Sequence, residues 1–92
     1  ADPATGKIVE GGVEAQATQV FENIRTVLGE MGLSLANVLK TTVFLTDLGD
    51  FAAVNAIYER YFGPDFPARS CVEVSRLPAG ARVEVELICE KV

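Results

Sequence analysis

The sequence predicts a small α+β domain in which two helices cover one face of a mixed β-sheet. Two segments repeat apolar residues every three or four positions, and three others alternate or are rich in β-branched residues. Their order along the 92 residues is helix, strand, helix, strand, strand, with no low-complexity linker, so residues 1–92 are expected to form one domain. The uncovered sheet face is expected to meet solvent or another subunit.

The first helix is predicted over residues 13–31, because apolar side chains recur along one stripe. This stripe contains Ala17, Val20, Phe21, Ile24, Leu28 and Met31. Gly32, just beyond it, is typical of a helix C-terminus. The turn-forming residues 2–12 predict a loop before the helix, in which residues 7–10 form a short extended piece.

A strand is predicted over residues 38–46, and a second helix over residues 51–62. Alternation divides the strand into two faces, with Leu39, Thr41, Val43 and Leu45 on one and Lys40, Thr42 and Phe44 on the other. Asp47 or Asp50 is expected to cap the helix, and Gly63-Pro64 to end it. The apolar stripe of the helix contains Phe51, Val54, Ile57, Tyr58 and Tyr61.

Two alternating strands are predicted over residues 69–75 and 82–91. In the first, Val72 and Val74 share one face, and the other carries Arg69, Cys71 and Glu73. In the second, one face carries Val83, Val85, Leu87 and Cys89, and the other carries Arg82, Glu84 and Glu86. We expect the uncovered face of the sheet to carry Arg69, Cys71 and Glu84 beside Phe44 and Ile88. Such a mixed face favours a subunit interface that holds a polar site.

Composition excludes several classes of function. The net charge is −5 and the basic residues are scattered, which disfavours a nucleic-acid partner. No apolar stretch approaches the roughly 20 residues of a membrane span. Two cysteines fit a reducing compartment, so we expect a cytoplasmic protein. The chain has no histidine, which removes Ser-His-Asp and Cys-His nucleophiles and the commonest metal ligand.

Arg69 is the main candidate for a binding residue, because its planar fork can bind a carboxylate through two parallel hydrogen bonds. The alternative is a surface arginine, or one paired with Glu73 or Glu84. Glu84 is a candidate for orienting or deprotonating a water, and otherwise a solvated strand residue. Cys71 could be a nucleophile, but no histidine is present to activate it, so a pocket-lining thiol is favoured.

Several short segments occur together along the chain. They are DPATG at 2–6, TTVFLTD at 41–47, DFAAVN at 50–55, Tyr58, YF at 61–62, FPARSCVEV at 66–74, RLP at 76–78 and VEVE at 83–86. Over its whole length the chain therefore resembles the reactive intermediate deaminase (Rid, or YjgF-type) family. The combined series is far more specific than any one of these segments.

The resemblance implies a chorismate-mutase-like fold and a homotrimer whose sites lie between subunits. It also implies hydrolysis of reactive 2-enamino and 2-imino acids, such as 2-aminoacrylate, to 2-keto acids and ammonia, without cofactor or metal. By position, Arg69 matches the carboxylate-binding arginine of the family and Glu84 matches the acid linked to the attacking water. Cys71 matches a pocket residue whose backbone contacts ligand or water, and Asn55 matches a residue near the cleft.

The chain also departs from the family pattern at its N-terminus. Members of the family have about thirty more residues there, within the size of a small domain. These residues include a strand hairpin and a tyrosine and a glycine of the pocket, so this chain is expected to be short relative to the family. Because of this departure, a non-catalytic module that binds keto acids or has a regulatory role is the alternative function. An endoribonuclease or translation-inhibiting role fits less well with the acidic charge and the lack of histidine.

Overall fold

The computed structural model describes residues 12–64 and 66–90. Along the chain, its elements are α1 (Gly12–Glu30), β1 (Val38–Leu45), α2 (Phe51–Phe62), β2 (Ala68–Glu73) and β3 (Val83–Cys89). The predicted element order is confirmed, while the predicted extended piece at 7–10 and nearly all of its loop lie outside the described residues. Neither described helix is both long and apolar enough to cross a membrane.

The three strands form one mixed sheet in the order β2-β1-β3. The central strand β1 runs parallel to β2 and antiparallel to β3. A parallel pair needs a crossover connection, and α2 provides it between β1 and β2. Both helices pack on the sheet, which confirms the predicted α+β architecture.

The core lies between the two helices and one face of the sheet. Its largest fully buried side chains are Tyr58, Phe21, Leu45 and Thr41. The Phe21 ring of α1 meets Tyr58 and Phe62 of α2 edge-on, at centroid distances of 5.8 Å in both cases. These aromatic contacts join α1 to α2 directly above β1, and so fix the position of α2 beside the sheet.

The predicted face of β1 is right for three of its four residues. Thr41, Val43 and Leu45 are buried, but Leu39 is 53% exposed and Val38 is buried in its place. The cause is a register shift against β3 between Val38 and Lys40, which breaks the strict alternation. Met31 is also 63% exposed, because α1 ends at Glu30 and the predicted stripe does not extend beyond it.

Asp47 and Asp50 both lie near the start of α2, and their carboxylates bind different partners. The Asp47 carboxylate accepts a hydrogen bond from the Gly49 backbone at 2.8 Å and caps a single 3-10 turn. Asp50 occupies the N-cap position of α2 without capping it through its side chain. Its carboxylate instead binds Arg82, whose Nη2 lies 2.8 Å from Oδ1. This ion pair ties the chain entering β3 to the start of α2.

Replacing Tyr58 with phenylalanine is expected to destabilise the fold. The Tyr58 hydroxyl and Thr41 Oγ1 lie 2.8 Å apart in the core, so Tyr58→Phe leaves the Thr41 hydroxyl buried without this partner. Such a loss costs about 1–2 kcal/mol of unfolding free energy, to be measured by urea denaturation. The double variant with Thr41→Val removes both polar groups and should lose less than the sum of the two single variants. A Tyr58→Phe protein with the midpoint of the parent would contradict this.

Candidate functional site

Arg69 lies on the face of the sheet that the helices cover. In the parallel register of β1 and β2, Arg69 is the partner of Thr41, and Cys71 is the partner of Val43. Partners in register point to the same face of a sheet, and Thr41 and Val43 are both buried beneath the helices. The prediction that Arg69 and Cys71 lie on the uncovered face is therefore wrong.

The reason for this error is the position of β2 in the sheet. Within the described sheet β2 is an outer strand, and all of its residues are exposed except Cys71, which is half-buried. Val72, expected to mark the buried face, is 41% exposed and pairs with Phe44 on the uncovered side. Because side chains alternate with a period of two, one wrong assignment moves the whole strand to the opposite face.

The Arg69 guanidinium is held by residues of α2. Its central carbon lies 4.8 Å from the centroid of the Tyr58 ring and 5.3 Å from that of Phe51. Its Nη1 donates a hydrogen bond to Asn55 Oδ1. Aromatic rings attract a guanidinium through their negative faces, so these contacts orient the fork without neutralising its charge. The structure thus brings Asn55 to Arg69, while the binding roles of both residues remain predictions.

No carboxylate neutralises Arg69 within residues 12–64 and 66–90. The ion pairs of this part of the chain are Arg25–Glu22 and Arg82–Asp50. Glu73, one of the two partners considered from the sequence, accepts a hydrogen bond from the Leu48 backbone at 2.9 Å. An arginine that is oriented but lacks an anionic partner is suited to an anionic ligand.

A cleft of about 300 Å³ opens beside Arg69, between α2 and the chain that leads into β2. It is lined by Asn55, Tyr58, Glu59, Phe66, Pro67 and Arg69. The Phe66 ring stacks on Tyr58 with the centroids 6.5 Å apart. The cleft therefore combines one cation, one carboxylate and an apolar wall.

Sequence reasoning missed Glu59 and Phe66 as residues of this cleft. Glu59 follows Asn55 by four positions on α2, so the two share one face of the helix, and their side chains are hydrogen-bonded at 3.1 Å. This spacing was a usable signal once Asn55 had been singled out. No periodicity marks Phe66, which reaches the cleft only because the chain folds back after α2.

Cys71 follows Arg69 by two positions on the same face of β2 and lines a small void of about 10 Å³ together with Asn55 and Arg69. Burial raises the pKa of the Cys71 thiol, and the positive charge of Arg69 offsets this only in part. A raised pKa keeps the thiol protonated near neutral pH, whereas a nucleophilic cysteine requires the thiolate. The environment favours a pocket-lining thiol over a nucleophile.

Glu84 lies on the opposite face of the sheet from Arg69. It pairs across β3 and β1 with Phe44 and is exposed, and its side chain makes no hydrogen bond or ion pair with the described residues. The central strand β1 also separates its strand from β2. One chain therefore does not bring Arg69 and Glu84 together, contrary to the prediction that they share a face. Phe44 and Ile88 do lie beside Glu84 on the uncovered side, and Ile88 is 59% exposed.

Among the residues that the structure describes, no group of three or more histidine, cysteine, aspartate or glutamate side chains could hold a metal ion. The polar groups of the cleft are a guanidinium, an amide and a carboxylate. Together they can hold a small ligand with a carboxylate group through charge and hydrogen bonding.

Comparisons with known proteins agree on one family. A family model described as Endoribonuclease L-PSP matches residues 1–91. The 2-iminobutanoate/2-iminopropanoate deaminase of Salmonella typhimurium is 50% identical over 90 residues, covering 95% of this chain and 70% of the relative. The crystal structure of RidA from an Antarctic Psychrobacter species superposes with a TM-score of 0.90 at 45% identity, covering 96% of this chain and 71% of that one.

A further solved structure, E. coli TdcF with bound serine, has a TM-score of 0.89 at 39% identity and covers 98% of this chain and 72% of that one. The similarity in sequence and the similarity in fold thus extend over nearly all of the chain. We conclude that the chain belongs to the Rid family, also called the YjgF/RutC or Endoribonuclease L-PSP family.

Proposed function

We propose that the chain is the subunit of an imine deaminase, which hydrolyses reactive 2-imino acids and their 2-enamino tautomers to 2-keto acids and ammonia. The observation that carries this proposal is Arg69, which is oriented by Tyr58 and Asn55 beside a cleft and has no carboxylate partner in the described chain. A deaminase of 2-imino acids among the relatives supports the reaction, and serine bound to TdcF supports a small ligand that carries a carboxylate.

In this proposal Arg69 places the reacting carbon. Two parallel hydrogen bonds fix the carboxylate of the substrate, and the imine carbon is bonded directly to that carboxylate. A water molecule adds to the protonated C=N group and gives a carbinolamine. The C–N bond then breaks, so that one 2-iminium acid and one water yield one 2-keto acid and one ammonium ion. An iminium is already electrophilic, so positioning and one proton acceptor are sufficient help.

The proton acceptor in this proposal is Glu84, supplied by a neighbouring copy of the chain in a homotrimer. Arg69 and Glu84 lie on opposite faces of one sheet, so a single chain does not form the complete site. The uncovered face around Glu84 also exposes Val72 and Ile88, which is expected of a surface that packs against another subunit. Glu84 would orient the attacking water and accept its proton.

The proposal is tested by following 2-aminoacrylate generated in situ by a pyridoxal-phosphate-dependent eliminating enzyme. The imine decays spontaneously, so the measurement is the rate of its conversion to pyruvate and ammonia with and without this protein. Catalytic amounts of the protein are expected to increase that rate in proportion to their concentration. A rate equal to the spontaneous rate at every concentration would contradict the proposal.

A second candidate is a module that binds 2-keto acids without turnover. The separation of Glu84 from Arg69 within one chain favours it, because a single chain provides the oriented Arg69 guanidinium without the proposed proton acceptor beside it. This alternative predicts saturable binding of 2-oxobutanoate together with no acceleration of imine hydrolysis. Both quantities can be measured on one preparation.

The family description also names an endoribonuclease. The chain carries a net charge of −5 and no histidine, and its basic residues do not form a run. RNA binding depends on clustered positive charge that neutralises phosphates, so these features favour the small-molecule site over a site for RNA.

A further inference from the structure

We propose that Glu59 selects ligands that carry a positively charged nitrogen beside the carboxylate. The choice of a 2-iminium acid as the natural ligand rests on the proposed function. The charge preference itself rests on the geometry of the cleft. Under this proposal the site distinguishes the protonated imine from the 2-keto acid that hydrolysis produces.

Asn55 lies between the positive and the negative group of the cleft. Its Oδ1 accepts a hydrogen bond from Arg69 Nη1, and its Nδ2 donates one to Glu59 Oε1 at 3.1 Å. An amide has acceptors only on oxygen and donors only on nitrogen, so these two neighbours fix its orientation. Asn55 is thereby aligned with its oxygen toward the cation and its nitrogen toward the anion.

Because Asn55 lies between Arg69 and Glu59, the charges of both side chains remain available to a ligand. Arg69 and Glu59 form no ion pair with each other in the described chain, although both line the same cleft. A direct pair would satisfy each charge internally and leave little attraction for a ligand. Here the guanidinium keeps further N–H donors, and the Glu59 carboxylate keeps its second oxygen.

In a 2-iminium acid, as in the Asn55 amide, hydrogen-bond acceptors lie at one end and donors at the other. It presents carboxylate oxygen at one end and N–H groups at the other, separated by two carbon atoms, where the amide has one. Such a ligand can lie alongside Asn55 with its carboxylate on Arg69 and its nitrogen on Glu59. A 2-keto acid offers the carboxylate alone, and its carbonyl oxygen would face the Glu59 carboxylate, which repels it.

The remaining walls of the cleft limit the substituent of the ligand. Phe66, Pro67 and Tyr58 supply the apolar surface of the cleft, and the Tyr58 ring also contacts the Arg69 guanidinium. Glu59 also repels a second carboxylate. The favoured class is therefore monocarboxylic 2-imino acids with small apolar side chains.

The test compares two stable probes of the same carbon skeleton by titration calorimetry. L-2-aminobutyrate carries a cationic nitrogen, and 2-oxobutanoate does not. In the full chain, Glu59→Gln should weaken binding of L-2-aminobutyrate by about 3-fold, as expected for an exposed ion pair, and leave 2-oxobutanoate equally or more tightly bound. Glu59→Asp, which keeps the charge, should weaken only L-2-aminobutyrate and by less.

Glu30→Gln is the matched control, because it removes the same charge from an exposed residue at the end of α1 that does not line the cleft. It should change neither affinity. Equal effects of Glu59→Gln on both probes, no effect on either, or no binding of either probe to the parent chain would overturn the assignment of Glu59.

The role of Glu59 and the deaminase activity can be refuted independently of each other. A parent chain that shows the charge preference but does not accelerate imine decay would overturn the deaminase proposal and support Glu59 as the selecting residue. A parent chain that hydrolyses 2-aminoacrylate while Glu59→Gln leaves the ratio of the two affinities unchanged would do the reverse.

Discussion

Arg69→Ala is expected to lower kcat/KM for 2-iminopropanoate by about 30-fold or more. Truncating one member of a charge pair that binding desolvates costs roughly 2–5 kcal/mol, and each 1.4 kcal/mol is a factor of ten. Part of the loss should appear in KM, because the carboxylate loses its two hydrogen bonds. The rest should appear in kcat, because a substrate without this anchor presents its imine carbon to water less often in the correct orientation.

Two further variants make the Arg69 experiment specific. Arg69→Lys keeps the charge but loses the planar fork and its stacking on Tyr58, so an intermediate loss is expected. Arg60→Ala removes an exposed arginine from the last turn of α2, outside the cleft, and should leave both kinetic constants near those of the parent. Thermal unfolding of each variant shows that the fold is kept. An Arg69→Ala protein with the kcat and KM of the parent would refute carboxylate binding by Arg69.

The helices could be predicted from the sequence because their signals are local. The prediction for α2 matches the structure at both ends, since an aspartate precedes it, Gly63-Pro64 follows it, and its apolar repeat marks one face. The face of β1 was predicted only in part. Leu39 is exposed because of a register shift against β3, and that shift depends on a partner strand more than thirty residues away.

At the candidate site, too, the sequence predicted the residue types but not the face of the sheet on which they lie. The residue types at Arg69, Cys71 and Asn55 could be chosen from the sequence and its family resemblance. The face on which Arg69 lies depends on the parallel register between β1 and β2, which pairs it with buried Thr41. In the predicted strand 69–75, two valines alternate with Cys71 without deciding which set is buried, so the assignment from sequence had no physical constraint.

Glu84→Gln is expected to reduce kcat by about 100-fold or more, the lower end of the range for losing a positioned general base. Substrate binding should change much less, because the amide keeps the size of the side chain and Arg69 is untouched. Glu86→Gln removes the same charge from the same exposed face of β3, two residues away, and serves as the control. Similar losses in both variants would indicate that the charge of this face matters, and not a proton acceptor at Glu84.

Mixing the two impaired proteins tests whether the site is shared between subunits. When Arg69→Ala and Glu84→Gln chains are refolded together in equal amounts, each subunit of the proposed homotrimer is drawn at random. A site that takes Arg69 from one chain and Glu84 from the next is then complete in about one case in four, so about a quarter of the parent activity should return. If one chain supplied both residues, every site would lack one of them.

Such mixing yields activity only when the two residues act in one site on different chains. The structure supplies the reason to expect it, since β1 lies between their strands and the two side chains point to opposite faces. Native mass spectrometry of the mixture measures the proportion of hybrid oligomers, and the recovered rate should rise with that proportion. A mixture that forms hybrid oligomers but shows only the sum of the rates of the two separate variants would indicate that Arg69 and Glu84 do not act in one shared site.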